Sequence, residues 1–100
     1  MRKARLVWTP EAKEDVREIR RTIARRAPKT AQAFVRRLTE SVTRLRDFPE
    51  IGGVVEEFHD PDVRECLYGP YRIIYRWRPP VVHVLAVRHG AQLLGEAEVE

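Results

Sequence analysis

Apolar residues change their period halfway along this chain, and that change limits the folds open to it. Up to Leu45 they recur every three or four positions. From Val63 on they alternate, or run together in short blocks bounded by Gly and Pro. Helical patterns therefore come first and strand patterns after them. Segregation of that kind predicts an α+β domain, with helices covering one face of an antiparallel sheet.

The first half reads as a strand and two helices. Residues 4–8, Ala-Arg-Leu-Val-Trp, form a short strand. Thr9-Pro10-Glu11 then starts a helix, since Thr caps well, Pro is tolerated at the first helical position and an acid suits the first turn. Ala12, Val16, Ile19 and Ile23 make one apolar stripe, with Lys13, Arg17, Arg21 and Arg25 opposite. Ala27-Pro28 breaks this helix, and Pro28-Lys29-Thr30 opens a second. Its stripe is Ala31, Phe34, Val35, Leu38, Val42 and Leu45, and Phe48-Pro49 ends it. So short a break predicts an antiparallel helical hairpin.

The second half supplies what the hairpin must cover. Val63–Tyr68, Tyr71–Trp77 and Val81–Val87 are rich in β-branched and aromatic residues. Gly69-Pro70 and Arg78-Pro79-Pro80 separate them, which predicts an antiparallel meander. Val54-Val55 starts an extra edge strand. The pattern places Tyr71, Ile73, Tyr75, Leu85 and Val87 under the helices and leaves the other sheet face partly open. Residues 91–100 read as a weakly ordered tail, and the whole of 1–100 as a single domain.

Composition narrows the chemistry. Cys66 is the sole cysteine, which excludes an internal disulfide and points to the cytoplasm. It sits mid-strand and reads as a small packed residue. One Cys and three scattered His give no metal-ligand spacing, no cofactor motif appears, and no apolar run approaches a membrane span. Residues 1–47 hold fourteen Lys/Arg against six Asp/Glu, a net of +8. Residues 48–100 hold five against nine, a net of −4. A basic half calls for an anionic partner, either nucleic acid or an acidic protein segment.

Strand alternation selects the candidate functional residues. It gathers Arg64, Arg72 and Arg76 on the open face with Tyr68 nearby, where an anionic ligand or acidic partner would relieve their repulsion. At the end of the last strand, Arg88 and His89 alternate to opposite faces. His89 offers an acid or base at neutral pH and falls on the Val87 side, away from Arg72.

Four stretches, "WTPEAKEDVREI", "FPEIGG", "VRECLYGPYRIIYRW" and "VLAVRHG", together resemble the RelE/ParE superfamily of toxins from bacterial type II toxin–antitoxin systems. The resemblance runs over nearly the whole chain and implies a helical hairpin packed on an antiparallel sheet. It also implies one of two activities. RelE-like members cut mRNA in the ribosomal A site, using basic residues on the sheet and groups near the C-terminus. ParE-like members poison DNA gyrase and are not known to cut RNA. Both are neutralised by a cognate antitoxin whose extended C-terminal segment, acidic or amphipathic, wraps the toxin.

Residue by residue, Arg64 and Arg72 match two basic positions of the RelE group. Cys66 stands where a further base is expected, and His89 stands near the C-terminal catalytic position with no Tyr after it. "VRHG" resembles the ParE branch instead. The implied function is therefore a ParE-like gyrase inhibitor, of the kind that stabilises plasmids. The alternatives are a ribosome-dependent endoribonuclease using Arg64, Arg72 and His89, or a non-toxic module that keeps only antitoxin binding.

Overall fold

The computed structural model describes residues 3–90, so the tail expected over 91–100 lies outside the described residues. The elements are β1 (Arg5–Trp8), α1 (Pro10–Ala24), α2 (Pro28–Thr43), β2 (Gly53–Val54), β3 (Val63–Tyr68), β4 (Tyr71–Arg78) and β5 (Val81–His89). Single 3₁₀ turns follow α2 at Arg44–Arg46 and precede β3 at Glu56–Phe58.

Local chemistry sets these bounds. The Thr9 hydroxyl accepts the Ala12 N–H at 3.2 Å, capping α1, and donates to the Val84 carbonyl at 2.8 Å, which ties the start of the helix to β5. Gly69 takes the positive φ of 55° that the two-residue turn between β3 and β4 requires.

The five strands lie in the order β1-β5-β4-β3-β2. β3, β4 and β5 form the expected antiparallel meander. β1, however, runs parallel to β5, with Arg5 opposite Val81 and Trp8 opposite Val84. The sheet is therefore mixed rather than wholly antiparallel. Parallel neighbours need a long connection, and here it runs through the helical hairpin and then β2, β3 and β4.

The hairpin lies on one sheet face. Ile19, Leu38, Val42 and Leu45 bury against Ile73, Tyr75, Val82, Val84 and Val87. Each such side chain contributes on the order of 1.5–3 kcal/mol by leaving water. Leu85 does not join them, contrary to the sequence expectation. Ile74 pairs with Ala86 while Tyr75 pairs with Val84, so Leu85 is an extra residue that bulges from β5. The bulge reverses side-chain alternation, and Leu85 packs instead with Val55, Phe58, Val63 and Ile74 on the far face. That face is accordingly not open at its centre, because the segment between β2 and β3 folds over it.

Candidate functional site

The far face carries a compensated set of charges. β3 and β4 pair Leu67 with Arg72, Glu65 with Ile74 and Val63 with Arg76, so Arg72 and Arg76 share this face with Glu65. Arg72 donates through Nε to the Glu65 carboxylate at 3.1 Å, through a terminal nitrogen to that carboxylate, and to Glu57 at 3.2 Å. Its side chain is only 13% exposed. Arg76 meets Asp60 at 3.4 Å, and Arg78 meets Asp62 at 2.8 Å and Asp60 at 3.3 Å. The Glu57 carboxyl is held below its usual range by its own backbone N–H and by Arg72. Asp60 is lowered by the Asp62 backbone N–H and by Arg76 and Arg78. The three guanidiniums are thus answered by the protein's own carboxylates.

Arg64 and Tyr68 lie on the opposite face from Arg72 and Arg76. Register decides this, because Arg64 pairs with Tyr75, Cys66 with Ile73 and Tyr68 with Tyr71, all turned toward the helices. Tyr68 and Tyr71 each set a ring edge against Phe34, at centroid distances of 5.5 and 5.4 Å. Arg64 donates to the carbonyls of Gly52 at 2.8 Å and Glu50 at 3.2 Å. The Tyr75 hydroxyl donates to the Pro49 carbonyl at 2.8 Å and accepts the Gly52 N–H at 2.9 Å. Together they clamp the turn between α2 and β2. Gly52 is required there, since a Cβ would stand 2.6 Å from the Glu65 carbonyl oxygen and 2.7 Å from the Tyr75 hydroxyl. The clamped segment presents Phe48, Ile51 and Val54, each at least half exposed. Sequence reasoning missed this clamp. Its signals were a Gly-Gly pair in the segment between the second helix and the next strand, and a tyrosine hydroxyl in an apolar strand, which must find a partner when buried.

Arg88 and His89 stand at the other end of the molecule. β1 accompanies β5 only as far as Val84, and beyond it α1 closes the strand edge. Asp15 accepts the Val87 N–H at 2.9 Å, while Arg88 Nε lies 3.7 Å from the same carboxylate, too far for a hydrogen bond. His89 pairs with Tyr71 and sets its ring edge on that tyrosine at 5.5 Å. These groups, with Glu18 and Thr22, line a shallow concavity of about 350 Å³.

Arg64, Arg72 and His89 are not brought together. Arg64 and His89 pair with positions four residues apart on β4, roughly 13 Å along the strand. Arg72 projects from the reverse face. Among the described residues no group of three or more His, Cys, Asp or Glu could hold a metal ion, and no helix is long and apolar enough to cross a membrane.

Residues 6–94 match the family model for the ParE toxin of the type II toxin–antitoxin system parDE. The chain is similar to toxin RelE2 of Caulobacter vibrioides, with 33% identity over 91 residues that cover 90% of this chain and 99% of that protein. Its fold is similar to that in the solved chromosomal ParDE toxin–antitoxin system from P. aeruginosa, at a TM-score of 0.75 and 21% identity, covering 87% of this chain and 96% of that one. It is also similar to the toxin–antitoxin complex RelBE2 from Mycobacterium tuberculosis, at a TM-score of 0.64 and 20% identity, covering 87% and 98%.

Proposed function

The chain belongs to the ParE toxin family of type II toxin–antitoxin systems, within the RelE/ParE superfamily, and on that premise we propose that it inhibits DNA gyrase by binding it as a protein ligand. A cognate antitoxin neutralises it, and the pair acts in the cytoplasm to stabilise the replicon that carries it. One observation supports this reading over RNA cleavage. Cleavage at a 2′-hydroxyl needs a base, cations for the developing phosphorane charge and an acid for the leaving oxygen, all around one phosphate. The three residues best suited to those tasks are each engaged elsewhere. Arg64 holds a turn, Arg72 sits between Glu65 and Glu57, and His89 rests on Tyr71. An arginine, with its pKa above about 12, does not serve as the base.

The test compares two assays on the purified chain, with and without its antitoxin. Inhibition of gyrase supercoiling, reversed by antitoxin, is the expected result. Cleavage of ribosome-bound mRNA that disappears in a folded His89→Ala variant would overturn the proposal and establish the endoribonuclease alternative. Activity in neither assay, with antitoxin binding intact, would identify a non-toxic binding module.

A further inference from the structure

On the far face of the sheet Arg72, Arg76 and Arg78 meet carboxylates, as described above. The closed end of the helical hairpin is different. Residues 19–39 contain seven Lys/Arg and no Asp/Glu, a stretch that takes in the last turns of α1, the interhelical turn and most of α2. Only Arg21 reaches an acid, pairing back along α1 with Glu14 and Glu18. Arg20, Arg25, Arg26, Lys29, Arg36 and Arg37 are exposed, and among the described residues none of them has a carboxylate within 4.0 Å.

The surroundings of this cluster say what it fits. An amphipathic peptide that folds on binding needs apolar surface as well as charge. Among the described residues the exposed large apolar side chains are Phe48, Ile51, Val54 and Leu67, and none lies in residues 19–39. A polyanion needs no apolar surface. Five of the six free cations are arginines, whose planar fork matches phosphate oxygens. The part of α2 from Pro28 to Arg37 is roughly 15 Å long, a length over which duplex DNA presents roughly nine phosphate charges.

We propose that the closed end of the helical hairpin docks on the sugar–phosphate backbone of duplex DNA, so that a toxin bound to gyrase also grips the DNA that gyrase holds. The gyrase half of that statement rests on the proposed function. Contact with the duplex is a property of this surface alone and is measured without gyrase.

The experiment is fluorescence polarisation of a labelled DNA duplex with the purified chain, between about 50 and 200 mM salt. Each neutralised phosphate adds about −0.9 to the slope of log affinity against log salt, so five or six contacts give a slope near −5. The quadruple variant R25Q/R26Q/K29Q/R36Q should flatten that slope by about 3–4 and weaken binding at least about tenfold at the lower salt. Circular dichroism and unchanged antitoxin affinity establish that the variant is folded. A variant that binds the duplex as the parent does would overturn the inference, as would tighter binding of an RNA duplex. Lost antitoxin binding with DNA binding intact would also overturn it, assigning the surface to an acidic protein segment. Supercoiling by gyrase is read separately with the parent chain. If gyrase is untouched while duplex binding depends on the hairpin, the gyrase reading falls and the DNA surface stands.

Discussion

Replacing Tyr75 with Phe removes one oxygen atom from a position with no solvent exposure. That oxygen joins the Pro49 carbonyl and the Gly52 N–H, both in the turn that connects the helical hairpin to the sheet. Gly52 is itself buried, so its N–H loses a partner that water does not readily replace. An unsatisfied buried donor costs about 1–3 kcal/mol and a lost hydrogen bond about 1 kcal/mol, so the substitution should destabilise the fold by about 2–3 kcal/mol. For a domain of this size that lowers the melting temperature by roughly 8–20 °C. Urea unfolding should show a lower midpoint with an unchanged slope, since Arg64 still holds the carbonyls of Glu50 and Gly52. The alkaline limb gives an independent reading. Burial pushes the Tyr75 phenol up to about 12, against the Gly52 N–H, which favours the anion. An unfolded tyrosine titrates near 10. Between about pH 10 and 12 the unfolded chain therefore binds fewer protons than the folded one, and stability falls as pH rises, by about 2–3 kcal/mol across that window. Below about pH 10 Tyr75 adds no pH dependence. Tyr75→Phe should abolish this share of the alkaline loss, measured in a Cys66→Ala background so that the neighbouring thiol, also raised by burial, does not contribute. A destabilisation below about 0.5 kcal/mol at neutral pH, or an unaltered alkaline limb, would refute the clamp.

Gly52→Ala should cost more than about 2 kcal/mol by thermal melting, because the new methyl collides with the backbone oxygen of Glu65 as well as with the Tyr75 hydroxyl. Leu38→Ala, at a fully buried position of α2, should cost about 2–5 kcal/mol in urea unfolding; an effect near zero would contradict the packing of the hairpin on the sheet. Arg72→Ala leaves Glu65 half-buried without its cation and should destabilise by about 1–3 kcal/mol. Gyrase inhibition per folded molecule should survive that substitution, and its loss in a normally folded variant would make Arg72 a contact residue.

The two helices and the three-stranded meander were legible because each depends on periodicity within one segment. The pairing of β1 with β5 was not, because it joins positions seventy-six residues apart and leaves no local mark on either. Two errors, one in packing and one at the candidate site, have separate causes. Alternation was carried unbroken through β5, whereas the bulge at Leu85 reverses it. In β3 the apolar residues divide almost evenly between the faces, Val63 and Leu67 against Cys66 and Tyr68, so composition could not orient the strand. Cross-strand register did so, and it turned Arg64 and Tyr68 away from Arg72. The carboxylates of Glu57, Asp60 and Asp62 were visible as a run of acids, yet their reach to the arginines depends on a segment that folds back over the sheet. Likewise, nothing near Asp15 in the sequence announces that it completes the edge of the last strand.

The parallel partnership of β1 with β5 also sets when the fold can exist. Helix hydrogen bonds are local and form within about a microsecond, but the apolar stripes of α1 and α2 rest on Ile73, Tyr75, Val82, Val84 and Val87, the last of which is nearly at the end of the described chain. As the protein emerges from the ribosome its N-terminal half has no surface to close on. The loop that brings Arg5 to Val81 spans most of the molecule, and the entropy of closing it is lost before any contact compensates. The parallel pairing therefore couples strand, hairpin and meander into one unit, in which the helices gain a surface only once β4 and β5 are available. Either half of the chain taken alone leaves the apolar stripes of α1 and α2 uncovered, so the surfaces that a partner would recognise arise only with the whole unit.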